Sequence, residues 1–169
     1  MTKLTDRRSI RKYVENYQIP RNEMIEILTE ATRAPSSMNM QPWRFVVVES
    51  EAGKERLKSV MQGNQSQLKT SSAMIVIFTD LRKYDYAEKI FDLSVSAGLM
   101  PVDVKDRQLR SISNMAPDLS DEQLEKSGLF DCGLVAMQLM QVAKAHSVAF
   151  CDTDKNHWSS NYRHSLKPT

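Results

Sequence analysis

Two short segments carry side chains whose types and spacing could do chemistry. In "TDRRSIRKY", Thr5 to Tyr13, the arginines Arg7, Arg8 and Arg11 surround Ser9 and make the densest positive patch of the chain. Guanidinium forks, a hydroxyl and a helix N-terminus together suit a phosphate monoester. The pattern predicts a short helix with Thr5 or Asp6 as N-cap, which places Arg7 and Arg11 on one face and Ser9 in the first turn. A solvated basic face is the plainer reading of the same residues. Nucleic-acid contact is a third, disfavoured by a net charge of only +2 and by the lack of aromatic residues among the arginines. The second segment is "APSSMNMQPW", Ala34 to Trp43. It places two prolines, two serines, an Asn, a Gln and a Trp together, more hydrogen-bonding capacity than a plain surface turn needs.

The elements that must position these residues follow from periodicity. Pro20 and Asn22 introduce a helix whose Met24, Ile27, Leu28 and Ala31 make one apolar face, ended by Pro35. "RFVVVE" (44–49) and "AMIVIF" (73–78) read as strands, apolar without alternation and so expected to be covered on both faces. A helical pattern lies between them over about 53–61. Ala87, Ile90, Phe91 and Val95 give a helix within 84–99, and Pro101 separates it from another over 102–115. Ser120 with Gln123 forms a capping box that opens a long last helix, apolar on nearly every side from Leu129 to Ala143. Such a helix belongs in a core or an interface. With no internal repeat and no Gly/Ser-rich linker, these elements predict one α+β domain with helices on both sides of a sheet.

Composition excludes several function classes. With 169 residues, 41% apolar and 26% charged, the chain is globular rather than disordered. Cys132 and Cys151 make no disulfide framework, and the start of the chain lacks an apolar signal core. Ala73 to Phe78, the longest clean apolar run, is too short to cross a bilayer. A cytoplasmic protein with no membrane partner is expected. The five glycines form no G-x-G-x-x-G, which speaks against a Rossmann dinucleotide domain, and no catalytic triad is visible.

Together, "RRSIRKY" and "APSSMNMQPWRFVVV" resemble two motifs of the FMN-dependent nitroreductase family, in the same order and with an amphipathic helix between them. "NQSQLKTSSAMIVIF" (64–78) and "LFDCGLVAMQLMQVAKAHS" (129–147) resemble the family's next block and its long central helix. The likeness covers roughly residues 3–146, with 147–169 as an atypical tail. It implies an α/β/α sandwich around a central, mainly antiparallel sheet. It also implies a homodimer that holds one FMN in each of two interface clefts.

By the same resemblance, Arg7, Ser9 and Arg11 would contact the FMN phosphate and ribityl chain, with Arg8 close to the isoalloxazine or ribityl oxygens. Pro35, Ser36, Ser37 and Asn39 would come from the partner subunit and line the other side of the flavin. Gln65, with Asn64, would meet the pyrimidine edge of the ring. Gln41 and Trp43 are assigned to loop anchoring and packing. The implied activity is ping-pong transfer of hydride from NAD(P)H through FMN to a nitroaromatic, quinone or similar small-molecule acceptor, with no protein nucleophile. The alternative is a flavin-binding or structural remnant with little turnover. After Ser147 the family pattern stops, where relatives continue with a Gly-rich "GYDTxPMGG"-like loop. Cys151, His157 and His164 fall in this tail, at spacings that fit no standard zinc pattern. The apolar last helix needs covering that a second copy of the chain would provide.

Overall fold

The computed structural model describes Thr5 and residues 7–151. In chain order the helices are α1 (Arg21–Ala31), α2 (Glu51–Leu57), α3 (Gln65–Thr70), α4 (Ala87–Ser96), α5 (Val102–Met115) and α6 (Asp121–Ala145). The strands are β1 (Trp43–Val48) and β2 (Met74–Thr79), which hydrogen-bond to each other. The Asp80 N–H donates to Pro42 O at 2.8 Å, so the end of β2 lies beside the start of β1 and the pair is antiparallel. Among the described residues the fold is therefore α+β with a small antiparallel sheet. The strands are less covered than their composition predicts. Val46 is 45% exposed, and every residue of β2 is only half-buried. An unbroken β-branched run identifies a strand but does not by itself say how many layers cover it.

The chain divides into two compact units, interleaved in sequence. One comprises Leu28–Val46 and Ile77–Leu139. Its core gathers Met40, Ala87, Phe91 and Ile112, with Met38, Tyr84, Ile90, Met100, Leu109 and Ala116 packed around them. The spacing of Ala87 and Phe91 puts both on the buried stripe of α4. α5 starts where Pro101 fixes an extended φ/ψ. At the head of α6 the Ser120 N–H donates to Gln123 Oε1 (2.9 Å) and the Gln123 N–H to Ser120 Oγ (3.3 Å), the reciprocal bonds of a capping box.

The other unit comprises the described residues up to Ile27, Val47–Val76, and those from Met140 onward. α2 begins earlier than periodicity predicts, because Ser50 Oγ caps it by accepting from the Gly53 N–H at 3.2 Å. A Cβ at Gly53 would stand 2.6 Å from Val48 Cγ1, so any larger residue in the first turn of α2 would force the Val48 side chain to shift. α6 ends here on a left-handed Ser147 (φ 60°), with Ser147 N bonded to Lys144 O and Val148 N to Ala143 O. This is a Schellman closure formed without glycine.

The helix predicted over Thr5–Tyr13 does not form: residues 7–14 carry no helical backbone, and Asp6 lies outside the described residues. The Ile10 N–H reaches Phe150 O at 3.5 Å and the Tyr13 N–H reaches Thr70 Oγ1 at 3.1 Å. Partners distant in sequence thus take donors that a helix would have turned inward. The shared helical face for Arg7 and Arg11, and the first-turn position for Ser9, fall with it.

Candidate functional site

The loop between α1 and β1 is tightly specified. A 3₁₀ turn over Ser37–Asn39 follows an extended Ser36. Met38 (φ 51°), Asn39 (φ 57°) and Gln41 (φ 46°) all occupy the left-handed region, which costs a non-glycine residue roughly 1 kcal/mol or more. Hydrogen bonds hold this shape. The Gln41 N–H donates to Ser36 Oγ at 2.9 Å, and the Gln41 side-chain amide to Asn39 Oδ1 at 3.2 Å. The Asn39 and Met40 amides close on Ser36 O and Ser37 O. Pro35, Ser37 and Asn39 are exposed, whereas Met40, Pro42 and Trp43 are buried and anchor the loop.

The remaining restraint comes from α6. Asp131 Oδ1 accepts the Ser37 N–H at 2.8 Å, while its Oδ2 lies 3.4 Å from Lys83 Nζ. Lys83 Nζ also donates to Ser127 Oγ at 2.8 Å. Both charged side chains are 1% exposed. Ser127 and Asp131 are one helical turn apart and so present to the same side of α6. Burial, and after it the Asp131 carboxylate, pushes the Cys132 thiol up to about 11, with Lys83 pulling the other way. Cys132 is therefore a neutral, inert thiol near pH 7. Tyr84 is raised by the same two causes in the same order. A hollow of about 470 Å³ is lined by Pro35, Ser36, Ser37, Ser127, Phe130, Asp131 and Leu134.

The other candidate residues belong to the second unit. Arg7 is half-buried; Arg8, Ser9 and Arg11 are exposed. Arg7 Nη1 is buried and, among the described residues, has no hydrogen-bond partner. Arg8 Nη1 turns back onto Thr5 O and Arg7 O, at 2.8 and 3.0 Å. Asn64 is buried and accepts from Gln67 Nε2 at 3.1 Å. Gln65 Nε2 donates to Lys58 O and Met61 O, so its amide nitrogen is committed to the backbone of its own chain.

Comparison with known proteins places this arrangement. The profile of the Nitroreductase family matches residues 4–154. The chain belongs to the nitroreductase family. YdgI of Bacillus subtilis, described as a candidate NAD(P)H nitroreductase, is 48% identical over 140 residues, 83% of this chain and 67% of YdgI. The crystal structure of a candidate nitroreductase of Exiguobacterium sibiricum in complex with FMN is similar at 49% identity and a TM-score of 0.79. The match covers 86% of this chain and 71% of that one. A candidate NAD(P)H:FMN oxidoreductase of Staphylococcus epidermidis matches at 48% identity and TM-score 0.79, over 85% of this chain and 67% of that one. The chain thus spans about two thirds of the length of these relatives.

In this member of the family the structure gathers Pro35, Ser36, Ser37 and Asn39 in one ordered turn, and Arg7, Arg8, Ser9 and Arg11 in one irregular segment. Sequence reasoning missed Lys83, Ser127 and Asp131. A signal for one of them was present: an acid inside an otherwise apolar helix needs a buried partner. Among the described residues no group of three or more His, Cys, Asp or Glu side chains could hold a metal, and no helix is long and apolar enough to cross a membrane. His157 and His164 of the tail cluster lie outside the described residues.

Proposed function

We propose that this chain is an FMN-dependent oxidoreductase that passes hydride from NAD(P)H to a nitroaromatic, quinone or similar acceptor. The observation that carries the reading is the buried, unpartnered Arg7 guanidinium nitrogen in a chain whose 49%-identical relative holds FMN. A half-buried cation with an open donor fits a phosphate, and Ser9 and Arg11 bring a further hydroxyl and charge to the same segment. Bound FMN supplies the hydride-accepting centre. The chain's own residues bind and orient. Arg7, Ser9 and Arg11 hold the phosphate and ribityl chain, with Arg8 adjoining. Pro35, Ser36, Ser37 and Asn39 line the flavin from a neighbouring subunit. Gln65 and Asn64 lie at the pyrimidine edge, where Gln65 would accept through Oε1, its nitrogen being engaged. The homodimer this requires is supported by Leu129, Phe130 and Met137 of α6, which are 59%, 71% and 43% exposed.

The test is an absorbance spectrum of purified protein before and after FMN addition, followed by NADH and NADPH oxidation with a quinone or nitroaromatic acceptor. Flavin uptake with turnover is expected. A colourless protein that takes up no FMN overturns the reading, and uptake without turnover favours the remnant.

A further inference from the structure

We propose that Asp131, held by Lys83, is a positioning residue of the flavin site: it fixes the Ser36–Gln41 turn so that Ser36, Ser37 and Asn39 meet the cofactor ready-shaped. The inference rests on the reading of that turn as one wall of an FMN cleft. Stability does not account for the ion pair, because well-packed apolar side chains commonly replace a buried pair without loss. Nor does Asp131 act on a ligand directly. It is 1% exposed and both of its oxygens are engaged, Oδ1 with the Ser37 N–H and Oδ2 with Lys83 Nζ. What the pair provides is an acceptor aimed at the first amide of a turn that bends through three left-handed, non-glycine residues. Such a turn relaxes unless its surroundings over-determine it. Ser36 Oγ secures its far end at the Gln41 amide, and Asp131 secures the near end. Lys83, tied to Ser127 Oγ, keeps the carboxylate aimed. Pro35, Ser36 and Ser37 then stand along the hollow that Asp131 helps to line.

The test compares variants that differ only in the acceptor. Lys83→Met with Asp131→Asn removes both charges and keeps an oxygen for the Ser37 N–H. Lys83→Met with Asp131→Leu removes both charges and the oxygen. By FMN titration, the Asn variant is expected within about threefold of wild type and the Leu variant about tenfold weaker, the worth of one buried hydrogen bond. Hydrogen exchange at the Ser37 amide without FMN is expected to accelerate in the Leu variant alone. Ser37→Pro against Ser37→Ala asks the same question with the buried pair intact. Proline suits the first position of a helical turn and removes the N–H, so it is expected to bind FMN the more weakly. That comparison decides the matter if the Leu variant does not fold. Equal affinity and equal Ser37 exchange in the Asn and Leu variants overturn the proposal. If the wild type binds no FMN, the flavin reading fails, and Ser37 exchange alone decides whether Asp131 fixes the turn.

Discussion

The Ser36–Gln41 turn and the Arg7–Arg11 segment both carry proposed flavin contacts, yet they are held in opposite ways. The turn is closed by its own amides, a serine hydroxyl and a buried carboxylate, and it stores backbone strain at Met38, Asn39 and Gln41. The arginine segment has no regular backbone, and its anchors lie at Ile10 and Tyr13, bonded to Phe150 O and Thr70 Oγ1. Its most buried guanidinium nitrogen, on Arg7, is bonded to none of the described residues. One region is shaped in advance by the chain itself, and the other leaves open a donor that the proposed ligand would take. Mutations in the first should therefore register in stability as well as in ligand affinity, and mutations in the second in ligand affinity alone.

Asp131→Ala tests this most severely. It strands Lys83 in the interior, and a loss of about 3–5 kcal/mol is expected in urea denaturation. Replacing Lys83 by Met in the same protein should recover part of that loss. Arg7→Met should do the reverse. FMN affinity is expected to fall by about tenfold or more, while folding stability stays within about 0.5 kcal/mol of wild type. Equal damage to stability from Arg7→Met would erase the contrast. The smallest effect is expected from Gln41→Gly, which relieves a left-handed residue whose side chain is exposed. A gain of roughly 0.5 kcal/mol in thermal denaturation is expected, because glycine carries no steric cost at positive φ. A loss instead would mean that the Gln41 bond to Asn39 outweighs the strain.

Local signals in the sequence were read where local chemistry decides. Pro101 fixed the start of α5, Ser120 and Gln123 fixed that of α6, and both strands lie within a residue of their β-branched runs. The pattern failed at Thr5–Tyr13, where the amides of Ile10 and Tyr13 find partners that no short window contains. The Lys83–Asp131 pair was illegible for the same reason, its members standing 48 residues apart. The "APSSMNMQPW" residues announced an unusual loop. Their left-handed backbone was not announced, since Met and Gln do not ordinarily mark such positions.

The capping box at Ser120 and Gln123 has a consequence well beyond the first turn of α6. It acts as an angular reference for the whole rod. Each residue advances an α-helix by about 100°, so Ser127 and Asp131 point where they do because the winding starts where it does. One residue inserted between Gln123 and Ser127 would leave the cap intact and swing the carboxylate about a quarter turn away from the Ser37 amide. The loop's shape is thus indexed to a serine at the opposite end of three helical turns.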